Sequence, residues 1–587
     1  MGEKQYFFKY QKRWKGIFIS IFLCLFGFNT MNGQSDSKAL QMIIDSYQDH
    51  NPYDKEKYPL GVFTEAFYKG ESEFAQEQLN KLSKIDTSEL TETEYISFEL
   101  LRFVLQDKID MYRFESYLNP LLSDAGFHNN LTYHVRPLAN YKQVKAYLNK
   151  LNAIPVFVEQ HLILLREGLK KGISQSRVIF DGYETTYNDH IVENYMDSFY
   201  YSPFKDLPEG LTGKQKDSVL VAAKKTIENV VIPQFKIIKA FFDEEYIPMT
   251  RTTLGALNLP NGEAFYQNRI NYYTTSTDYT ADEVHRIGLK EVARIKAEMQ
   301  DIIESLDFDG SFADFLEYLR TDKQFYAEKP EELLMIARDM AKRADAQLPR
   351  FFKTLPRKPY GVNPVPDAIA PKYTAGRYIP TEDDSTDPGY YWVNTYDLPS
   401  RPLYTLPALT VHEAVPGHHL QISLNKELGD RIPRFRKDLY LSAYGEGWGL
   451  YSEYLAEEMG MYTTPFERFG KLTYEMWRAC RLVVDTGIHA KGWTREEVIG
   501  YMASHTALSL HEVNTETDRY IAWPGQALSY KMGELKIREL RKRAEAELGQ
   551  KFDIREFHEI ILEQGTVTLS ILENRIMNYI QRIKSEQ

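Results

Sequence analysis

Apolar residues recur at helical spacing along most of this 587-residue chain, and that periodicity constrains its fold more than any other sequence feature. Residues 280–283, Thr-Ala-Asp-Glu, form a capping box, in which the Thr280 and Glu283 side chains each accept a backbone N–H at a helix start. Apolar residues follow at helical spacing from Val284 to Ile302. The same pattern predicts long amphipathic helices over residues 138–170, 213–243, 330–347, 464–483 and 526–549. The sequence therefore predicts a mainly α-helical fold.

The helical pattern breaks at residues 349–407, which hold 11 of the 26 prolines. Proline lacks a backbone N–H and clashes with the carbonyl four residues earlier, so this stretch cannot be helical throughout. Within it, residues 390–395, Tyr-Tyr-Trp-Val-Asn-Thr, have the aromatic and β-branched composition of a strand. Such a strand could pair with an extended peptide through a free edge, or it could belong to an ordinary hairpin.

The first 33 residues have the order of a secretory signal peptide. Residues 1–15 contain five basic side chains and one acid, residues 16–28 are apolar, and residues 29–33 are polar. The apolar run is too short to span a membrane, and no later segment reaches the ~18 consecutive apolar residues of a spanning helix. We therefore predict export to the periplasm, cleavage near Gly33 and no stable membrane insertion afterwards.

Charge and cysteine content exclude several kinds of partner and site. Removal of the signal peptide changes the formal charge from −12 to −16, and such acidity opposes binding to nucleic acid or to an anionic membrane surface. Cleavage also removes Cys24, which follows Leu23 and not the small residue expected at a lipoprotein anchor. Cys480 is then the only cysteine, so we expect no internal disulfide and no cysteine ligand to a metal.

Residues 412–419, His-Glu-Ala-Val-Pro-Gly-His-His, carry the strongest chemical signal in the chain. A His-Glu pair followed by histidine begins the zinc-hydrolase signature H-E-x-x-H, in which the histidines bind metal and the glutamate acts as general base. Here proline occupies the position of the second histidine, and His418 and His419 come two and three residues later. A regular helix would separate His412 from His418 by ~9 Å along its axis, whereas zinc binds each nitrogen at ~2.0–2.1 Å.

Pro416 and Gly417 provide a way to bring these histidines together. Pro416 cannot continue the helical hydrogen bond to His412, and Gly417 permits backbone angles that other residues avoid. Together they predict a bulge that returns His418, or alternatively His419, to the side of His412. The competing interpretation is a helix that ends at a Pro-Gly turn beside three incidental histidines. Three of the 13 histidines within this short segment, beside a glutamate, favour a metal site.

A third metal ligand is expected from a following helix, because catalytic zinc usually binds three protein side chains and leaves one position open. Residues 444–453, Tyr-Gly-Glu-Gly-Trp-Gly-Leu-Tyr-Ser-Glu, set Glu446 between two glycines that allow close approach. Glu453 follows on the same helical face. We predict Glu446 as the ligand, and Glu453 as its rival or as a residue that supports a ligand from behind.

Further polar residues cluster closer to the C-terminus. Asp485 lies four residues after an arginine and four before His489, so it could orient His489 as a catalytic group or belong to an ion-pair ladder. Tyr520 and Tyr530 flank an aromatic Pro-Gly turn, and either could donate to an oxyanion. The neighbouring Arg519 could hold a substrate carboxylate.

Four motifs together make the chain resemble the bacterial domain-of-unknown-function 885 family. They are His-Glu-Ala-Val-Pro-Gly-His-His-Leu-Gln from residue 412, Glu-Gly-Trp-Gly-Leu-Tyr from residue 446, Arg-Leu-Val-Val-Asp-Thr-Gly-Ile-His from residue 481 and Arg-Tyr-Ile-Ala-Trp-Pro-Gly-Gln-Ala from residue 519. That family resembles a helical zincin, similar in architecture to thimet oligopeptidase and angiotensin-converting enzyme. The resemblance implies a deep cleft between a helical half, residues 34–348, and a catalytic half, residues 349–587, which carries the β element beside the metal helix.

The resemblance also implies a zinc peptidase. His412 and His418 would bind Zn²⁺ together with Glu446, and Glu413 would act as the general base. The two-residue insertion that contains proline departs from the pattern of the relatives and leaves the choice between His418 and His419 open.

The remaining site predictions concern the C-terminal segment, which the resemblance brings near the metal. The predicted catalytic set also includes His489 and Tyr520, and the predicted substrate-binding set is Arg519, Tyr530 and Lys531. The two cations could hold the terminal carboxylate of a short peptide, which favours a carboxypeptidase or a peptidyl-dipeptidase. Two alternatives are a secreted helical protein that binds peptides or glycans without metal, and a zincin fold that has lost its zinc.

Overall fold

The computed structural model describes residues 35–123, 125–367, 369–370, 373–381 and 385–586. The predicted signal peptide, its cleavage point and Cys24 lie outside these residues. The described chain is mainly helical with one small sheet, as the sequence predicts. Within it, every helix is too short or too polar to cross a membrane.

The helices of eight or more residues are named here in chain order. They are α1 (35–48), α2 (Glu65–Leu82), α3 (Glu92–Arg113), α4 (Tyr141–Lys171), α5 (Gly213–Thr226), α6 (Ile232–Ala240), α7 (Gly262–Thr274), α8 (Ala281–Ser305), α9 (Phe312–Thr321), α10 (Pro330–Phe351), α11 (Leu406–Glu413), α12 (His418–Glu427), α13 (Ser442–Glu458), α14 (Pro465–Lys491), α15 (Arg495–His505), α16 (Leu510–Ala522), α17 (Leu528–Leu548), α18 (Ile554–Leu562) and α19 (Leu569–Ser585). The periodicity predictions correspond to α4, α5 with α6, α8, α10, α14 and α17, and the capping box at Thr280 is present. Two π-helical segments, Ile227–Val231 and Phe241–Tyr246, continue α5 and α6.

The Pro-rich stretch forms a three-stranded sheet of β1 (Tyr360–Pro364), β2 (Gly376–Ile379) and β3 (Gly389–Val393). The strand order is β1-β3-β2, with β1 parallel and β2 antiparallel to β3. The predicted strand is therefore the central one. Because both of its edges are already paired, the expectation that it could add a peptide by edge pairing is wrong for β3. Of the two neighbours, β2 is the edge strand that lies against α11.

The main apolar core extends from Leu40 to Ile580 and takes residues from both expected halves. The expected division between residues 348 and 349 falls inside α10. Two long contacts run through the C-terminal part, α8 along α14 and α13 along α17. The second is very close, because a Cβ added to Gly533 would lie 1.9 Å from the carbonyl oxygen of Ala443. This glycine contact fixes the position of α13.

Candidate metal centre

The predicted interruption of the metal helix is present between α11 and α12. Helix α11 ends at Glu413 because Ala414 leaves the helical region with ψ −111°. The Gly417 N–H then donates to the carbonyl of Val411 over 2.9 Å, and the His419 N–H donates to the carbonyl of Ala414 over 3.1 Å. These bonds replace the regular helical pattern and shorten the path from His412 to the start of α12.

Glycine is required at position 417 for steric reasons. A Cβ on Gly417 would lie 1.9 Å from the carbonyl oxygen of His412, well inside contact distance. The turn is also held from the neighbouring helix, since the Trp448 indole N–H donates to the carbonyl oxygen of Pro416 over 2.8 Å. The Pro-Gly pair therefore brings α12 back against α11, while α13 secures the connection.

The turn brings two imidazoles and one carboxylate together. The rings of His412 and His418 lie 4.7 Å apart between centroids. Each Nε2 lies 3.4 Å from Oε2 of Glu446. One ligand atom from each of the three residues lies within 4.8 Å of the others. The structure thus groups His418, and not His419, with His412 and Glu446.

The two imidazole-to-carboxylate separations fit a tetrahedral zinc ion. Two ligand atoms that each lie ~2.0–2.1 Å from such an ion are about 3.4 Å apart. Both imidazole-to-carboxylate distances equal 3.4 Å. Two nitrogens and one oxygen also form a common donor set for catalytic zinc, with one position left for a further group. The donor set is enclosed, since the side chains of His412, His418 and Glu446 are 4%, 11% and 15% exposed.

Glu453 supports His412 from behind. Its Oε1 lies 2.8 Å from Nδ1 of His412, so the imidazole donates from Nδ1 and its Nε2 is directed towards Glu446. Gly449 makes room for this ring, because a Cβ there would lie 2.5 Å from Cε1 of His412. Of the two roles left open for Glu453, the geometry matches the supporting one.

Tyr440 orients the candidate ligand Glu446, a role that the sequence analysis does not predict. Its hydroxyl donates to Oε1 of Glu446 over 2.7 Å, which leaves Oε2 facing the two imidazoles. Tyr440 lies in the loop before α13, the helix that carries Glu446. Nothing in its sequence context distinguishes it among the 41 tyrosines of the chain. Only the folded contact reveals its role.

His412 and Glu446 stabilise each other's charged forms. Burial opposes the charged form of His412, but hydrogen bonds to Glu446 and Glu453 outweigh it and raise its pKa to about 9. Burial also opposes the ionised form of Glu446, yet the charge of His418 and the hydrogen bond from His412 hold its pKa well below the usual range. A proton or a metal cation at this position would satisfy the same carboxylate.

Glu413 adjoins the cluster but is held separately. It is 9% exposed, and its Oε2 accepts the backbone N–H of Tyr378 in β2 over 2.7 Å. His419 turns to the same tyrosine, with Nδ1 3.0 Å from the Tyr378 hydroxyl. Burial lowers the pKa of His419 to about 4. His419 therefore packs behind β2, while Glu413 keeps a second oxygen free for chemistry.

His489 does not lie in this cluster. Its Nδ1 accepts the N–H of Ala256 over 3.0 Å, and its Nε2 donates to the carbonyl oxygen of Tyr520 over 2.9 Å. Both ring nitrogens are thus occupied by backbone groups, and burial lowers the pKa to about 3. Asp485 instead accepts from Tyr266 and Gly525, so it forms neither the predicted pair with His489 nor an ion-pair ladder. These contacts indicate that His489 has a packing role, and not the catalytic role that the sequence predicts.

Tyr520 and Arg519 are likewise engaged within the protein. The Tyr520 hydroxyl donates to Glu516 over 2.7 Å and accepts from Trp477 and Arg481. Arg519 bonds both oxygens of Glu516, at 3.1 and 2.8 Å. Neither side chain offers a free group to an oxyanion or to a substrate carboxylate. The contacts of Tyr520 and Arg519 therefore do not support the roles predicted for them.

Lys531 is fully buried among acids. Its Nζ lies 2.8 Å from Glu534, 2.9 Å from Glu475 and 3.2 Å from Glu291, and the side chain is 0% exposed. A substrate carboxylate cannot reach a cation that is already enclosed by three carboxylates. The prediction that Lys531 binds substrate is therefore wrong, and the residue stabilises the packing of α8, α14 and α17.

Two other side chains lie within electrostatic reach of Glu446. Burial and then the charge of Glu446 raise the pKa of Tyr530, which lies within electrostatic reach of that ligand. Arg377 of β2 lies within reach of both Glu413 and Glu446, and it stacks over the ring of Tyr373 at 5.7 Å. Tyr530 is thus the one residue of the predicted substrate-binding set that borders the cluster.

Comparison with known proteins assigns the family. A family model described as a bacterial protein of unknown function, DUF885, matches residues 49–576. The chain belongs to this family. No curated protein matches it.

Two solved structures resemble this DUF885 protein over nearly its whole length. A "putative lipoprotein" from Colwellia psychrerythraea is 27% identical, with a TM-score of 0.83 over 94% of this chain and 99% of that one. A "putative lipoprotein of unknown function" from Shewanella oneidensis is 18% identical, with a TM-score of 0.66 over 94% of this chain and 99% of that one. The similarity to the Shewanella oneidensis protein shows a shared fold and no more. Neither description names an activity.

Proposed function

We propose that this protein is a zinc-dependent peptidase of the cell envelope that cleaves short peptides. The observation that carries the proposal is the group of His412, His418 and Glu446, with separations that fit a tetrahedral ion, directly beside Glu413. Bound zinc supplies Lewis-acid chemistry, since it polarises a carbonyl and makes water more acidic.

Glu413 performs the proton transfers in this proposal. It follows the ligand His412 in the chain, and the N–H of Tyr378 fixes one of its oxygens. The other oxygen takes a proton from the attacking water and passes it to the leaving amine. Fixing the carboxylate from behind keeps it aimed during both transfers, as catalysis by positioned groups requires.

The edge of β2 supports a peptide as substrate. Because the Tyr378 N–H donates to Glu413, it faces away from β3 and towards the candidate site. An extended peptide that runs along this outer edge would pass the base, so β2 takes over the role first expected of β3.

An envelope location is supported by two observations. The first 33 residues have the pattern of a secretory signal peptide. The similar proteins from Colwellia psychrerythraea and Shewanella oneidensis are both described as lipoproteins. Peptides that enter or arise in the envelope would then be the available substrates.

The proposal is tested by hydrolysis of a mixed peptide library, read by mass spectrometry, with the wild type and Glu413→Gln. We expect the wild type to cleave and the variant to keep its zinc but lose about three orders of magnitude in rate, because the base is gone. A variant within tenfold of the wild type would refute the role of Glu413. Peptides that bind without cleavage to a zinc-free wild type would instead indicate a binding protein.

A further inference from the structure

A cavity of about 310 Å³ lies beside α11, and Leu406 and Leu409 of that helix contribute to its wall. This volume is within the range of small-ligand pockets. Its walls are mostly apolar, with a few polar side chains that converge from different elements. The wall residues used below are Arg401, Leu406, Leu409, Thr473 and Glu512, together with Ala375 directly before β2.

Two polar groups in this cavity have no protein partner. The buried Nε of Arg401 makes no hydrogen bond, and no ion pair joins its guanidinium to any of the described residues. The hydroxyl of Thr473, a residue that is 1% exposed, is also without a hydrogen bond. Arg320 provides a contrast, because its guanidinium is bonded to the carbonyls of Thr506 and Leu508. Buried polar groups are normally paired, so the unpaired groups of Arg401 and Thr473 indicate a ligand.

The cavity is connected to the proposed base by two elements. Leu409 precedes Glu413 by four residues on the same face of α11, which is ~6 Å along a helix axis. Ala375 directly precedes β2 and lies three residues before Tyr378, the donor to Glu413, which is ~10 Å of extended chain. The cavity therefore lies about three extended peptide residues from Glu413.

We propose that this cavity holds the C-terminal residue of a peptide substrate, with its apolar side chain against Leu406 and Leu409 and its carboxylate on Arg401. The assignment rests on the proposed peptidase function. In this assignment the substrate carboxylate binds Arg401, which has free donors, and not Arg519 or Lys531, whose donors are bonded to other residues. The cleaved bond would then lie two or three residues from the C-terminus of the substrate.

A carboxylate fits the cavity better than an amine. Arg401 is a permanent cation with unused donors, and it can bind a carboxylate through two parallel hydrogen bonds. Two acids line the same cavity, Glu317 and Glu512. Glu512 is a weak attractor for an amine, because burial and then the charge of Glu516 raise its pKa to about 7. At neutral pH only part of the Glu512 population is charged.

The test measures binding by calorimetry with three probes: N-acetyl-leucine, which has a carboxylate, N-acetyl-leucinamide, which is neutral, and leucinamide, which is an amine. We expect the full-length mature protein to bind N-acetyl-leucine at least about tenfold more tightly than either amide, as a charge-assisted hydrogen bond provides. Arg401→Gln should lose this preference. Its side chain forms no hydrogen bond with the described residues, so the variant should fold normally.

Glu446→Ala separates this result from the metal. If the ligand carboxylate binds Arg401, this variant keeps the preference for N-acetyl-leucine over the two amides, although it lacks one candidate metal ligand. Loss of the preference in Glu446→Ala, or its survival in Arg401→Gln, would overturn the cavity assignment. Tighter binding of leucinamide would overturn it as well. None of these measurements depends on hydrolysis, so the cavity assignment and the proposed function can fail separately.

Discussion

His412 is the residue on which the candidate centre depends most. It contacts Glu446 through Nε2 and Glu453 through Nδ1, and Gly449 leaves space for its ring. A carboxylate behind a metal-binding imidazole fixes its tautomer and raises its basicity. The candidate centre therefore consists of three candidate ligands and two residues, Glu453 and Tyr440, that position them.

Replacement of Glu453 tests this supporting role. We expect Glu453→Gln to weaken zinc binding by about 10- to 100-fold, because Nδ1 of His412 loses its charged acceptor while the fold is retained. Competition with a zinc chelator of known affinity measures the change. Glu457→Gln, on the same helix but partly exposed, is the control and should leave zinc affinity unchanged. Equal affinity in all three proteins would contradict the role of Glu453.

At the scale of elements, α13 is positioned by its contact with α17. A Cβ on Gly533 would lie 1.9 Å from the carbonyl of Ala443, whereas a Cβ on Gly500 of α15 would meet no atom within 4 Å. We expect Gly533→Ala to destabilise the protein by about 1–3 kcal/mol through overpacking. Gly500→Ala should be neutral or stabilising, because glycine costs about 0.5–1 kcal/mol inside a helix. Denaturant unfolding measures both, and similar stabilities would contradict the close contact of α13 and α17.

Where α16 begins, Glu512 gives the cavity a pH response. Its pKa is raised to about 7 by burial and by Glu516, above an ordinary value of 4.5. Below pH 7 it is mostly neutral, and above pH 7 its negative charge repels the carboxylate of a ligand. The charges that face Glu512 belong to Glu516, Arg401, Arg478 and Arg481.

The affinity for N-acetyl-leucine should therefore rise by up to about tenfold as the pH falls from 8 to 6. Glu512→Gln should bind with the higher affinity at both values, because it carries no charge to titrate. Calorimetry at the two pH values measures the effect. An affinity that falls towards pH 6 in the wild type would contradict this sign.

At the scale of the whole molecule, the helical fold and the three candidate ligands were predictable because their signals are local. Periodicity marks single helices, His412 and His418 fall within one short segment around a Pro-Gly pair, and Glu446 stands between two glycines. The central position of β3 was not predictable, since strand pairing joins segments far apart in the chain. Lys531 was misassigned for the same reason, because Glu291 and Glu475 reach it from distant helices.

We propose that the Pro-Gly turn aligns His418 with His412 so that the two imidazoles and Glu446 hold one zinc ion. Elemental analysis of the purified mature protein, the single variants His418→Ala and His419→Ala, and their helix content by circular dichroism test it most directly. We expect one zinc per chain in the wild type and in His419→Ala, and almost none in His418→Ala, with equal helix content throughout. A zinc-free wild type, or full zinc occupancy in His418→Ala, would contradict the claim.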